Sequence, residues 1–380
     1  MRYYIIAGEA SGDLHGSNLI RGLLAEEPGA EIRFWGGEKM QQAGGEMVRD
    51  YNAAGAVMGF TDVLRKLGRI AESLRFCKAD ILAWKPDAVV LIDYPGFNMK
   101  IARFCHERGI RVFYYIAPKT WASRESRNRK LKAWVERLYI VFPFEIPYFS
   151  SRGIPFTYKG NPLVDAIDAA RFERPESERY IAILAGSRKG EVSRTMPVCM
   201  QMADRLHALP DYAGCRFLVA GAPGRRPEDY APFLKGREDY VRLVFGRTYD
   251  VLKYADAAVV NSGTASLEAA LIGTPQVVCW STSFVTAVLA KYVLRVLDHI
   301  KYISLGNLIA DRLVFRELIQ YDFTTDAVTA EIRRLCEDKA YRAEMLAGYA
   351  EIRERLGGGG ASRAVAADLI ARLRGETPDQ

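Results

Sequence analysis

Tyr180-Ile-Ala-Ile-Leu184-Ala185-Gly186-Ser187-Arg188-Lys189-Gly190-Glu191-Val192 begins as a short apolar strand, turns through small residues and opens a helix. The same order recurs at Val259-Val260-Asn261-Ser262-Gly263-Thr264-Ala265-Ser266-Leu267-Glu268. Around these two runs, Arg216–Ala220, Val241–Phe245, Ala257–Val260 and Gln276–Trp280 read as further strands. The pattern is a restart. An earlier set comprises Tyr3–Ala7, Glu31–Trp35, Ala88–Ile92, Arg111–Ile116 and Leu138–Val141. Helix-like stretches Ser17–Glu26, Thr61–Lys78, Asn98–Glu107 and Arg124–Glu136 separate them. Short strands alternating with longer helical patterns predict parallel α/β folding, twice over. Between the sets lie Pro155, Gly160, Pro162, Pro175 and the charged run Arg171–Arg179, so the boundary is expected at 165–178. The expected domains are residues 1–168 and 169–356, with a final helix at 361–375 completing the first.

The totals agree with two domains, because 380 residues exceed what one core usually serves. Hydrophobic residues at 49% and charged residues at 26% are ordinary for a globular chain. The net charge of +7 is a mild basic excess that suits a phosphorylated ligand or an anionic membrane surface. It is too dispersed for nucleic acid. Six scattered cysteines without a Cys-x-x-Cys pair read as buried free thiols. None of the four histidines has metal-ligand spacing and no Asp-x-Asp triplet occurs, so neither a metal nor a cofactor is expected. Met1–Ala7 runs straight into a strand, which leaves no room for a signal peptide. No window of apolar residues is long enough to span a bilayer.

In open parallel sheets, ligands bind beyond the carboxyl ends of the strands, and two such domains in series suggest a cleft between facing strand ends. After the first strand come Gly8, Glu9, Ser11, Gly12, Asp13 and Gly16, whose glycines do not form a dinucleotide fingerprint. Ser11 and Asp13 suit sugar hydroxyls, or alternatively one of them caps the next helix. Ala88–Ile92 ends in Asp93-Tyr94-Pro95-Gly96-Phe97-Asn98. There Asp93 is placed either to take a proton from a sugar hydroxyl or to cap the turn. Lys119 and Arg124 flank Trp121, a grouping that suits an anionic or acylated sugar unless Trp121 simply packs its loop.

The second domain carries a stronger signal. Gly186-Ser187-Arg188 at a helix start suits a pyrophosphate, with Arg188 adding a bidentate cation. Ser262, Gly263 and Thr264 can donate to phosphates, and Glu268 can accept from a ribose. Thr264 and Glu268 are four apart where a capping box needs three, which favours the ligand reading. Two anion-competent loops in one domain point to a nucleoside diphosphate. Two apolar stretches remain. Val57-Met58-Gly59-Phe60 precedes a helix with Val63, Leu64, Leu67, Ile70 and Leu74 among Arg65, Lys66 and Arg69; Phe284–Leu297 is the other. Each is either a core helix or an acyl-chain and membrane surface.

Taken in order, these loops resemble lipid-A-disaccharide synthases. The matching pieces are Gly8-Glu9-Ala-Ser11-Gly12-Asp13, Met58-Gly59-Phe60, Ile92-Asp93-x-Pro95-x-Phe97-Asn98 and Pro118-x-x-Trp121-Ala122. They continue with Pro143-Phe144-Glu145, Gly186-Ser187-Arg188 before Glu191-Val192, Ser262-Gly263-Thr264 through Glu268, and Tyr302-x-Ser304-Leu305-x-Asn307-Leu308. The chain departs from the family at Ser123, where a Trp is frequent, and at Asn161, where a His is frequent.

The resemblance implies a GT-B fold of two Rossmann-like domains and an inverting, metal-independent hexosyltransferase. It implies transfer of 2,3-diacylglucosamine from UDP-2,3-diacylglucosamine to the 6-hydroxyl of 2,3-diacylglucosamine 1-phosphate, peripheral attachment to the cytoplasmic face of the inner membrane, and a homodimer. By the same alignment Asp93 is the general base. Arg188, Ser187, Ser262, Gly263, Thr264, Glu268 and Asn307 hold UDP. Glu9, Ser11, Asp13, Asn98 and Trp121 face the acceptor, while Val57, Met58, Phe60, Leu64 and Leu67 meet lipid. The rival readings are another GT-B enzyme with a lipid-linked acceptor, a sugar-nucleotide epimerase and a non-catalytic binding protein.

Overall fold

The structure, a computed structural model, describes residues 1–51, 62–121, 125–176, 178–282 and 301–376, with backbone alone for 62–67. The chain divides into two compact units. The first comprises Met1–Ala166 with Gly358–Gln380, and the second Ile167–Gly357.

The N-terminal unit is built on a seven-stranded parallel sheet. Its strands are β1 (Arg2–Ala7), β2 (Glu31–Gly36), β3 (Glu46–Asp50), β4 (Ala88–Ile92), β5 (Arg111–Tyr115), β6 (Arg137–Ile140) and β7 (Phe156–Tyr158), in the order β3-β2-β1-β4-β5-β6-β7. All five residues of β4 are buried, as a central parallel strand covered on both faces requires. The connecting helices are α1 (Ala10–Glu26), α2 (Glu38–Ala43), α3 (Asp62–Trp84), α4 (Pro95–His106), α5 (Arg127–Trp134) and α6 (Glu145–Ser150). A seventh, α7 (Pro162–Asp168), contains the division between the units.

The C-terminal unit holds a six-stranded parallel sheet. Its strands are β8 (Tyr180–Leu184), β9 (Arg216–Gly221), β10 (Val241–Phe245), β11 (Ala257–Asn261), β12 (Gln276–Trp280) and β13 (Glu317–Ile319), ordered β10-β9-β8-β11-β12-β13. Its helices are α8 (Lys189–His207), α9 (Ala231–Leu234), α10 (Thr248–Lys253), α11 (Thr264–Ile272), α12 (Leu305–Ala310), α13 (Thr325–Glu337) and α14 (Lys339–Leu356).

The final helix, α15 (Ala361–Leu373), belongs to the first unit. Asp165 caps it, accepting the backbone N–H groups of Gly360, Ala361 and Ser362. Buried Tyr139 donates to its Asp368 at 2.8 Å. Gly22 of α1 has no room for a side chain there, since a Cβ would meet Ala366 and the backbone of Ser362 at 3.1 Å.

Three edge strands, β3, β7 and β13, were not anticipated. They are short, half-exposed and poor in β-branched residues, so they carry little of the hydrophobic signal that marks a strand. The first loop also differs from expectation, because the helix begins at Ala10 and not near Ser17. Gly12 and Gly16 weaken helix propensity but are needed for packing. A Cβ on Gly12 would crowd Ala7 at 3.2 Å, and one on Gly16 would strike the Met40 sulfur at 2.6 Å.

Each sheet has one place where the strand order reverses direction. It falls between β1 and β4 in the first unit and between β8 and β11 in the second. Adjacent connections leave such a pair toward opposite faces, which opens a crevice at the carboxyl ends. Of the loops singled out by composition, those after β1, β4, β8 and β11 flank these two points, and the Lys119–Trp121 loop after β5 does not.

Candidate functional site

In the first unit, β4 delivers Asp93 into a turn of unusual backbone. Asp93 and Tyr94 have φ of +42° and +45°, and Ile116, just past β5, has +60°. Left-handed backbone is uncommon outside glycine and an outlier for a β-branched residue. Such strain collects at functional sites, where the surroundings over-determine it. The Asp93 N–H still bonds the Tyr115 carbonyl at 3.2 Å, and the Ile116 N–H bonds that of Tyr139 at 3.0 Å. The sheet therefore holds both turns in register.

Burial raises the Asp93 carboxyl above its ordinary range, and the charge of Glu9 raises it further while Lys119 opposes both. Glu9 is exposed at the start of α1 and accepts the Ser11 hydroxyl at 2.9 Å. Glu9 and Lys119 thus both come within electrostatic reach of Asp93 at the carboxyl edge.

Two residues expected on the acceptor side are spent on the fold. Asp13 is 3% exposed. Its carboxylate accepts the N–H groups of Gly37, Lys39 and Met40 at 2.8–3.1 Å, capping α2 and not its own helix. Asn98 is fully buried and donates to the carbonyls of Ile92 and Asp93 at 3.1 and 2.8 Å. Trp121 is half-buried, with its ring edge-to-face on Phe144. Its indole N–H donates to Glu145 at 3.1 Å, which packs the ring into its loop while part of it stays accessible.

Glu145 closes the Pro143-Phe144-Glu145 motif. It accepts that indole and the backbone N–H groups of Val141 and Phe142. Burial pushes its carboxyl up to about 7, against those three donors and Lys119, which favour the ionised form.

In the second unit the turn after β8 is made by glycine. Gly186 has φ +106°, and a Cβ there would lie 2.6–2.9 Å from the side chains of Glu191 and Asn261. Ser187 and Arg188 are exposed. Their backbone N–H groups both donate to Glu191 Oε2, at 2.9 and 3.1 Å, and the Arg188 guanidinium bonds Oε1 at 2.9 Å. An intramolecular carboxylate thus sits on the donors expected to meet a diphosphate. Glu191 is part of the sequence motif but carries no role there, and its place three residues after Arg188 is where a capping carboxylate returns to a helix start.

On the neighbouring strand, β11 ends in Asn261 and the chain passes through Ser262 and exposed Gly263 into α11. The Ser262 N–H is taken by the Cys279 carbonyl at 2.7 Å, which leaves Gly263 and Thr264 at the open end of the helix. Half-buried Glu268 accepts the Tyr249 hydroxyl at 3.2 Å. Asn307 departs from expectation. It is fully buried, donating to the Phe315 carbonyl and to Glu317 and accepting from Val314, so it braces the α12–β13 segment and is not exposed to a phosphate. Val57, Met58 and Phe60, the side chains of Leu64 and Leu67, Ser123 and the stretch 284–297 lie outside the described residues. Among the described residues no group of three or more His, Cys, Asp or Glu is arranged to hold a metal.

Solved structures share this architecture. A co-structure of MnaA with UDP from S. aureus has a TM-score of 0.73 at 13% identity, covering 100% of this chain and 99% of that one. The glycotransferase of kitacinnamycin has 0.61 at 18%, covering 98% of each. At such identities the likeness defines the fold alone, which is the GT-B type with two parallel-sheet α/β domains. The sequence goes further. Residues 3–362 match the family model described as lipid-A-disaccharide synthetase, and the chain belongs to that family. Lipid-A-disaccharide synthases of Trichlorobacter lovleyi and Geobacter metallireducens are 36% and 37% identical to it, each over 98% of this chain and 97% of theirs. The chain is therefore a glycosyltransferase of lipid A biosynthesis, and the epimerase reading is not favoured.

Proposed function

We propose that the enzyme transfers 2,3-diacylglucosamine from its UDP donor to the 6-hydroxyl of 2,3-diacylglucosamine 1-phosphate, with inversion and Asp93 as general base. The observation that carries this is a carboxylate at the β1/β4 reversal point, raised by burial and by Glu9. A hydroxyl is a weak nucleophile, and a base with a raised pKa accepts its proton more readily near neutrality. The base must be ionised to act, so turnover falls as pH drops through its raised pKa.

Inversion in one displacement needs the leaving diphosphate opposite the attacking oxygen. Arg188, Ser187 and the Gly263–Thr264 helix start supply the charge and N–H groups that stabilise it. For the diphosphate to reach the Ser187 and Arg188 donors, the Glu191 carboxylate yields its place. Glu268, with Tyr249, is assigned to the ribose, and Glu9 with Ser11 to the acceptor sugar. Membership of the family supports a UDP-sugar donor and a lipid acceptor. Work at the cytoplasmic face of the inner membrane fits the basic charge of +7, and no helix among the described residues is long and apolar enough to cross a membrane. A homodimer is part of the same proposal.

The test is UDP release from UDP-2,3-diacylglucosamine, with and without the acceptor, in detergent and with a chelator. Release that needs the acceptor and survives chelation supports the reading. Release without acceptor, or none in either case, defeats the substrate assignment.

A further inference from the structure

The Asp93 carbonyl oxygen is held by two buried side chains from different elements. Asn98 Nδ2, from α4, donates to it at 2.8 Å. The Tyr114 hydroxyl, from β5, donates at 2.6 Å. Both residues are fully buried, so neither touches a substrate. The same Asn98 amide also reaches the carbonyl of Ile92 at 3.1 Å, clamping the last strand residue to the first turn residue. Asn98 Oδ1 is buried without a partner, a cost that a purely packing role would avoid by using an apolar residue. The peptide they grip joins Asp93 to Tyr94, the two consecutive non-glycine residues with left-handed backbone. A strained pair of this kind relaxes unless its surroundings over-determine it.

We propose that Asn98 and Tyr114 are positioning residues. By fixing the plane of the Asp93–Tyr94 peptide they fix the backbone from which the carboxylate projects, and so its alignment with the acceptor hydroxyl. The proposal rests on Asp93 being the base. Misplacing a catalytic group by about 1 Å costs on the order of 100-fold, so a loosened turn acts on kcat and leaves binding alone.

Tyr114→Phe in the full chain is the main test, because it removes one hydroxyl and keeps the ring; Asn98→Ser is the second, and Asp93→Asn runs beside both. The expected result for Tyr114→Phe is a kcat lowered about 10-fold or more, with KM for donor and acceptor unchanged. The acid limb of its kcat profile should also move to lower pH. Asp93 sits among Glu9, Lys119 and the buried wall, and a looser turn admits water that favours its ionised form. Unchanged kcat and acid limb in Tyr114→Phe, with Asp93→Asn inactive, overturns the positioning role and leaves the base intact. Wild-type turnover in Asp93→Asn removes the base, and the positioning role with it.

Discussion

The turns after β4 and β8 each border the reversal point of their sheet, on opposite sides of it, and they are built in opposite ways. After β8 the left-handed residue is Gly186, which adopts that backbone without strain and leaves room that Glu191 fills. After β4 the left-handed residues are Asp93 and Tyr94, which need Asn98 and Tyr114 to hold them. An edge that offers backbone N–H groups to a phosphate works best with no side chain in the way. An edge that must aim a carboxylate cannot use glycine, and it accepts strain together with the buried polar clamp that strain requires.

The largest effect should come from the aimed side chain. Asp93→Asn keeps the size of the group and removes the base, so turnover should fall about 100- to 10,000-fold while UDP binding survives. Wild-type turnover would dissolve the contrast between the two edges. On the other edge, Arg188→Ala should weaken UDP inhibition about 10- to 100-fold, the range for hydrogen bonds to a charged group. Unchanged UDP affinity would put the phosphate elsewhere. Gly186→Ala tests the glycine directly. A methyl placed 2.6 Å from Glu191 Cβ, on left-handed backbone, should lower Tm and weaken UDP binding together. A variant with normal UDP binding would show that the turn's conformation is not what presents the donors.

Glu145 gives a smaller, pH-dependent effect. Its folded pKa of about 7 lies above the ordinary 4.5, so its contribution to stability is complete below 4.5 and lost as pH rises through 7. At about 1.4 kcal/mol per pKa unit, the full loss is on the order of 3 kcal/mol. Glu145→Gln should flatten that part of the Tm–pH curve, and an unchanged slope would mean the carboxyl is not raised. The finest test concerns charge around Asp93. Glu9→Gln should shift the acid limb of kcat to lower pH and Lys119→Ala should shift it to higher pH. Shifts of the same sign, or none, would remove Glu9 and Lys119 from the field at the base.

Much of the fold was legible because buried parallel strands announce themselves. Ala88–Ile92 and Tyr180–Leu184 are apolar throughout, and their expected ends match the strands observed. The edge strands β3, β7 and β13 were not legible, since half-exposed strands lack that pattern. At the candidate site, Asp93 and Arg188 stand out in the sequence by their places after strands, and the structure keeps both at strand ends. Asp13, Asn98 and Asn307 look equally ligand-like in sequence, but a polar side chain in a loop reads the same whether it faces solvent or bonds distant backbone. Asp13 serves Gly37, Lys39 and Met40 of the next helix, and Asn307 braces residues 314–317.

The sequence by itself determined the two parallel α/β units, the strand ends that carry polar residues, and the family. Those follow from local periodicity and from residues close together along the chain. Only the tertiary structure decided which polar groups remain for a ligand. It showed Tyr114 and Asn98 meeting on the Asp93 carbonyl, Glu191 lying across the Ser187 and Arg188 donors, and Trp121 tied to Glu145. A buried donor or acceptor already satisfied by distant partners is lost to a ligand, whereas an exposed one such as the Ser187 and Arg188 donors is available once a displaceable partner, here Glu191, yields.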